Sequence, residues 1–340
     1  MAQVKLDAAE NAPLLAPVLD IPLPQERANL QQLQRRKNQR QNQHGLDGSD
    51  QAGNRKPTYS IVVVAIPSDQ ADPHSLAARL LSESVMTEID PFSLVTVPVR
   101  QLANGQPMKS ATAFVWKHDH QYYLITNWHV VTGRNFYTGD LETTVRPEAL
   151  HAQFNLAIGT FAKRQWNIRL RDDEGRALWL VYPVHGHRID VVALPLPMRG
   201  DEFLLDMYPI NSIISKPLRI RVGMEVFILG YPFGDDPPAF PVWKRGTIAS
   251  EPDLVLLSSG HYLVDTASRP GMSGAPVILR SWTNDYVEGG MRALSDQAAT
   301  NLIGVYSGRL VASSEEAQIG LVWHESYITD IITGRTRDQD

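Results

Sequence analysis

A serine among small residues is the first candidate for nucleophilic chemistry in this chain. Ser273 lies in the segment Ser268–Pro276, which reads SRPGMSGAP. Gly271 permits a tight turn that aims two backbone amides, its own and that of Ser273, at one point. Such a pair of amides can stabilise the oxyanion of a tetrahedral intermediate. Because Gly-x-Ser-Gly also occurs in many ordinary turns, this motif is a weak signal without partners.

A histidine and an aspartate supply those partners. His129 follows the apolar stretch Tyr122–Trp128, which predicts a strand that ends at a general base. Asp190 begins the apolar stretch Asp190–Leu196, so its carboxylate is expected to be partly buried, orienting the imidazole and stabilising its charged form. Taken singly, each residue is more typical of a structural histidine or a turn aspartate. The order His129, Asp190, Ser273, each beside its own apolar strand, predicts a Ser-His-Asp triad.

Composition excludes several other classes of protein. The 340 residues are 43% hydrophobic, which is ample for a sizeable core, and 32 basic against 37 acidic residues do not favour nucleic acid. The absence of cysteine excludes disulfides and a thiol nucleophile. No apolar run reaches the length of a membrane span, and the N-terminus lacks the pattern of a signal peptide. We therefore expect a cytoplasmic protein with no membrane association, no metal and no cofactor.

The chain divides into four stretches by composition and predicted secondary structure. Residues 1–58 are Ala/Pro-rich and then polar, which predicts a largely disordered extension with a short helix. Residues 59–90 predict a strand (Ile61–Ile66) and a helix (Ser75–Ser84) that lead into the main body.

Residues 91–208 and 209–340 predict a succession of short strands ending in a helix at His324–Ile332. Strands at this spacing, separated by Gly, Pro, Asn and Asp and without amphipathic helices between them, are typical of an all-β fold. The predicted strands include Ser93–Val99, Thr112–Lys117, Tyr122–Asn127, Asn167–Arg171, Ala177–Val181, Asp190–Leu196, Glu225–Leu229, Val242–Ser250, Leu254–Ser258, Tyr262–Asp265, Ala275–Leu279, Leu302–Tyr306 and Ile319–Val322.

The candidate motifs resemble those of the trypsin-like (chymotrypsin-fold) serine peptidases, and most of all the bacterial, disulfide-free HtrA-like type. The matching segments are Thr126–Val130 for the histidine motif, Asp190–Leu194, Gly271–Pro276, Gly223–Gly234 at the opening of the second barrel, and Ile303–Gly308 for the strand that pairs with substrate. The likeness covers residues 90–333, and we expect no PDZ-like domain after it.

The resemblance implies two six-stranded Greek-key β-barrels with a cleft between them. His129 and Asp190 would come from the first barrel and Ser273 from the second. Ser273 would attack the scissile carbonyl of a protein or peptide, His129 would carry the proton, and Asp190 would orient His129. The amides of Gly271 and Ser273 would form the oxyanion hole.

The resemblance also implies a specificity pocket. Ala267 would lie at its base, Ser307 and Arg309 on one wall, and Gly320 on another. Since no carboxylate is at the base, a small or apolar P1 residue (the residue before the scissile bond) is expected rather than Lys or Arg. Arg309 could instead recruit an acidic side chain or extend into solvent.

Two departures from the family pattern carry further predictions. Met272 stands where secreted trypsins have an aspartate that pairs with a new N-terminus, so activation should not depend on such a terminus. Residues 133–165 exceed what a minimal barrel needs and are candidates for covering the cleft or docking a partner. Residues 1–90 are a candidate for binding a regulatory protein. The alternative to an active endopeptidase is a catalytically silent protease fold that acts as a binding module.

Other histidines are weaker candidates. His118 and His120 flank Asp119 in a metal-like pattern, but a polar hairpin tip is the better interpretation because no further ligand follows. His185 and His187 lie close to Asp190 in sequence, but neither follows an apolar strand as His129 does.

Overall fold

The computed structural model describes residues 89–155, 163–196, 209–214, 218–232, 240–255, 260–267, 269–281, 284–287, 290–293, 299–310 and 318–339. The predicted extension 1–58, the strand Ile61–Ile66 and the helix Ser75–Ser84 lie outside these residues. Within the described ranges, no helix has the length and hydropathy needed to cross a membrane.

Strands dominate the described part of the chain, which confirms the all-β prediction. The elements in chain order are α1 (Pro91–Val95), β1 (Thr96–Ala103), β2 (Gln106–His118), β3 (Gln121–Thr126), α2 (Trp128–Thr132), β4 (Ala149–Asn155), β5 (Lys163–Arg169), β6 (Leu180–Val181), β7 (Val192–Pro195), a 3₁₀ turn (Ile210–Ser212), β8 (Glu225–Gly230), β9 (Val242–Ile248), α3 (Pro252–Val255), β10 (His261–Asp265), β11 (Pro276–Ser281), β12 (Asn284–Val287), β13 (Gly290–Ala293), β14 (Ala299–Arg309), β15 (Ile319–His324), α4 (Ser326–Gly334) and β16 (Thr336–Arg337).

The first unit is an eight-stranded sheet in the order β16-β6-β7-β3-β2-β1-β4-β5. Its β1–β2 hairpin turns at Asn104 and Gly105, both with positive φ, as a tight two-residue hairpin turn requires. The sheet contains eight strands rather than the six expected: β1 to β7 supply seven, and the C-terminal strand β16 adds the eighth by pairing with β6. Its core includes Leu124, Leu150 and Trp179, all fully buried.

The second unit is a closed barrel of six strands in the order β10-β15-β14-β11-β8-β9. It agrees with the six-stranded barrel that the sequence predicts for this half. Val264, Met272 and Tyr306 are among the residues of its interior. The predicted strand Leu254–Ser258 is wrong over its described part, because Pro252 begins the short helix α3, and proline is well suited to the first position of a helix.

A third apolar cluster joins the two units. It combines residues of the first sheet, such as Phe114 and Ile125, with residues of the second barrel and of α4, such as Trp323 and Ile331. Helix α4 agrees with the predicted C-terminal helix, and its isoleucines are buried in this cluster. The joint core fixes the two units against each other, so residues from both can contribute to one site.

Candidate active site

The sequence predicts His129 at the end of a strand, whereas the structure places it on the one-turn helix α2. Strand β3 stops at Thr126, Asn127 is extended, and α2 begins at Trp128. Gly133 ends the helix in the left-handed conformation, with its amide donating to the carbonyl of His129. The histidine therefore lies in the first turn of a helix that both a strand and a C-cap hold in position.

Asp190 is fully buried and contacts His129 twice. Its Oδ2 lies 2.8 Å from His129 Nδ1, and its Oδ1 accepts a hydrogen bond from the backbone amide of His129 at 3.0 Å. The side-chain amide of Asn127 donates to the backbone carbonyl of Asp190 at 2.6 Å. The sequence predicts Asp190 as the first residue of its strand, whereas the structure places it two residues before β7. The carboxylate therefore fixes both the imidazole ring and the start of its helix.

Burial and charge compete at His129. Burial disfavours the charged imidazolium and lowers its pKa, whereas the charge and hydrogen bond of Asp190 raise it. Glu142 adds to the rise and Lys109 opposes it. The net pKa of His129 lies above the usual value for histidine, so the site favours the protonated form that a general base must adopt during catalysis.

The nucleophile loop has the tight backbone that its glycines predict. Gly271 has φ +94°, and a Cβ there would collide with the carbonyl oxygen of Tyr231. Gly274 has φ +83°, and a Cβ there would collide with the carbonyl oxygen of Thr112. Within the described residues, the amides of Gly271 and Ser273 donate no hydrogen bond. Among these residues, no group therefore competes with an oxyanion for either amide.

Thr112 in β2 ties this loop to the first unit. Its hydroxyl donates to the carbonyl of Gly271 at 2.8 Å and accepts from the amide of Tyr231 at 3.1 Å. Its own amide donates to the carbonyl of Ser273 at 2.8 Å. Thr126 then donates to the carbonyl of Thr112 at 2.9 Å. Sequence reasoning missed this residue, since a threonine in a strand carries no signal of such a role.

Ser307 links the acid and the nucleophile. Its hydroxyl donates to Asp190 Oδ2, and its carbonyl accepts from Ser273 Oγ at 3.3 Å. The pairing of β14 with β15 shifts register between Tyr306 and Gly308, so Ser307 lies at a β-bulge, a device that re-aims a side chain. The sequence predicted Ser307 only as a pocket wall. Among the described residues, no hydrogen bond joins Ser273 to His129.

Met272 packs into the barrel interior. It is 1% exposed, and a Cβ on Gly230 would lie 2.7 Å from its sulfur. The position that carries the activation aspartate in secreted trypsins is therefore filled by an apolar side chain in the core.

The other predicted pocket residues lie at one end of the second barrel. Gly320 is buried and pairs with Arg309 across β14 and β15. Arg309 is exposed, and so is Ala267, which follows β10 by two residues. The structure therefore places these residues at the same end of the barrel, with Ala267 open to solvent.

The loop after α2 lies near His129. Glu142 Oε2 pairs with Lys109 Nζ at 2.6 Å, and the amide of Glu142 donates to the carbonyl of Gly133. The rest of the predicted insertion, residues 133–165, includes strand β4 and the first residues of β5, which belong to the first sheet. Among the described residues of this segment, the first part is therefore the part that lies beside the site.

The weaker histidine candidates of the sequence lie in the described ranges. His118 ends β2, and Asp119 turns the β2–β3 hairpin with φ +52°, which confirms the predicted hairpin tip. In the described ranges, no group of three or more metal-ligating side chains comes together. His187 stacks on Trp128, with ring centroids 4.9 Å apart, and His185 stacks on Tyr182.

No curated protein matches the chain. Among solved structures, the active form of the Rv3671c protease from M. tuberculosis is 17% identical, with a TM-score of 0.40 over 85% of this chain and 95% of that one. The serine endoprotease from Yersinia pestis is 15% identical, with a TM-score of 0.41 over 71% of this chain and 62% of that one.

The family model for a trypsin-like peptidase domain matches residues 111–283, just over half of the chain. The matched range contains the candidate triad His129, Asp190 and Ser273. The chain therefore belongs to the trypsin-like peptidase family and is a serine endopeptidase.

Proposed function

We propose that the chain hydrolyses peptide bonds of protein or peptide substrates through a Ser273–His129–Asp190 triad. The observation that carries the proposal is the buried Asp190 carboxylate, 2.8 Å from His129 Nδ1 and bonded also to Ser307, whose carbonyl accepts from Ser273. This chain of contacts joins acid, base and nucleophile through residues of both units.

The reaction proceeds by acyl transfer. Ser273 Oγ attacks the scissile carbonyl carbon while His129 Nε2 takes the hydroxyl proton, and the carbonyl oxygen becomes an oxyanion held by the amides of Gly271 and Ser273. The C–N bond breaks as His129 gives the proton to the departing amine, which leaves an acyl-enzyme. Water then attacks the acyl carbon by the same route and releases Ser273. Asp190 stabilises the imidazolium at both stages.

Residues at the end of the second barrel, including Ala267, Arg309 and Gly320, line the proposed pocket for the P1 side chain. Ser307, on the adjacent wall, also orients Asp190. No carboxylate contributes to this group, so cleavage after Lys or Arg is not expected.

A binding function without catalysis is a second candidate. It is favoured by the contact of Ser273 Oγ with the carbonyl of Ser307 rather than with His129. In proteases without substrate, however, catalytic hydrogen bonds are often long or poorly aligned and tighten only when substrate binds.

The test is hydrolysis of an unfolded protein by the wild type, followed by mass spectrometry of the products. The matched controls are Ser273→Ala and Asp190→Asn, since both are nearly isosteric. We expect defined peptide products that both variants lose. A wild type that releases no products, or products that persist in Ser273→Ala, would refute the triad.

A further inference from the structure

Tyr306 lies directly behind the nucleophile loop. Its carbonyl accepts from the amide of Gly274 at 2.8 Å, and its amide donates to the carbonyl of Ala275 at 2.9 Å. The side chain is 1% exposed and belongs to the interior of the second barrel. Its neighbour Ser307 instead reaches out of the barrel to Asp190. The ring is therefore inside the barrel, one residue from the contact with the triad.

The ring extends along the barrel interior toward Gly320. Tyr306 pairs with Val322 on β15, whereas Gly320 pairs with Arg309, nearer the end of both strands. A Cβ on Gly320 would lie 2.6 Å from Cε2 of Tyr306 and 3.2 Å from its hydroxyl, and 3.0 Å from Cγ2 of Val264. The ring thus occupies the space over Gly320 that a side chain would otherwise fill, and only glycine fits opposite it.

This space lies at the barrel end to which the proposed function assigns the specificity pocket. We propose that Tyr306 forms the floor of that pocket and restricts the P1 residue to a small side chain such as Ala, Ser or Val. An aromatic or long aliphatic P1 residue needs depth that the ring already fills, because packed interiors leave few voids. The proposal rests on the proposed function and narrows the expected small or apolar P1 residue to a small one.

The test compares matched peptide substrates that differ only at P1: Ala, Val, Leu and Phe. We expect the wild type to have its highest kcat/KM with Ala or Val and to lose about tenfold or more with Leu and Phe. Tyr306→Val removes the ring but keeps an apolar residue suited to a strand. It should raise the Leu-to-Ala ratio of kcat/KM by about 10–100-fold.

Two further variants test the pairing of the ring with Gly320. Tyr306→Phe keeps the floor and should retain the wild-type preference. In Tyr306→Val, the second change Gly320→Ala adds a methyl to the space that the ring has left, and it should shift the preference back toward Ala.

Labelling by a fluorophosphonate tests the proposed function separately from the role of Tyr306, because the small probe reacts with a competent serine whatever the P1 preference. A labelled wild type that cleaves best after Leu or Phe overturns the role of Tyr306 and leaves the proposed function intact. A folded, labelled Tyr306→Val with an unchanged P1 profile does the same. If that variant does not fold, the wild-type profile decides. An unlabelled wild type refutes the proposed function, and the pocket assignment falls with it.

Discussion

Replacing Thr112 by valine should separate the positioning of the nucleophile loop from its chemistry. Valine has the shape of threonine but lacks the hydroxyl, so the carbonyl of Gly271 loses a donor and the amide of Tyr231 loses an acceptor. The bond from the amide of residue 112 to the carbonyl of Ser273 is kept, because it is a backbone contact. The change therefore releases one side of the loop only.

The magnitude follows from the two groups left without partners. Each buried backbone group that loses its hydrogen bond costs about 1–3 kcal/mol, so the free energy of unfolding should fall by about 2–6 kcal/mol. If the backbone at Gly271 then turns away from the cleft, one oxyanion donor is lost, and kcat should fall by up to about 10²–10³-fold. KM should change little, because the P1 pocket is untouched.

The assay measures kcat and KM with one peptide substrate, at low temperature and with the folded fraction followed by circular dichroism. A peptide trifluoromethyl ketone, which forms an oxyanion on the serine, should bind more weakly in parallel with the loss in kcat/KM. Thr112→Ser keeps the hydroxyl and should retain most of the activity. Folded Thr112→Val with wild-type kcat, or an equal loss in Thr112→Ser, would refute the reasoning.

Three further predictions follow from other contacts of the site. Activity needs neutral His129, whose pKa is raised, so kcat/KM should fall on acidification. Glu142→Gln should lower the pKa of His129 and move the acid limb of the pH profile to lower pH, and Lys109→Met should raise that pKa and move the limb to higher pH. An acid limb that stays at the same pH in both variants would contradict the electrostatic account. Asp338 accepts from the indole groups of Trp128 and Trp179 at 2.7 and 3.0 Å, and both lose their acceptor in Asp338→Ala. That variant should therefore lower the free energy of unfolding in urea by about 2–6 kcal/mol, and Asp338→Asn by less. Equal stabilities of the wild type and Asp338→Ala would contradict this. Met272→Leu should retain activity whatever the N-terminal residue, and Met272→Asp should lose folded protein because it buries an unpaired charge. The check compares the activity of chains with defined N-termini. A free amine at one defined residue that is obligatory for activity would contradict the role of Met272 as an apolar core residue.

Much of the site could be predicted because its residues flank apolar runs. The strands around residues 112–126 and 225–248 follow from β-branched and apolar patterns, and the order of His129, Asp190 and Ser273 predicts the candidate triad. A pattern of side chains along the chain carries local information. It therefore predicts the strands and helices that hold a site better than it predicts the contacts between them.

The features that sequence could not reveal are long-range contacts. The helix at His129 begins where Asp190, 61 residues away, accepts its backbone amide, and nothing in Tyr122–Trp128 signals this contact. Thr112 and Gly271 are 159 residues apart, and Ser307 and Asp190 are 117 apart. The helix at Pro252 differs for another reason: it is only four residues long, and the apolar Leu254–Ser258 run that overlaps it favours a short strand equally well.

The most direct test of the central claim is to locate a fluorophosphonate adduct by mass spectrometry. The account predicts one adduct per chain, on the peptide that contains Ser273, lost in Ser273→Ala and greatly slowed in His129→Ala. Absence of an adduct on the folded wild type, or an adduct on another serine that persists in Ser273→Ala, would contradict it.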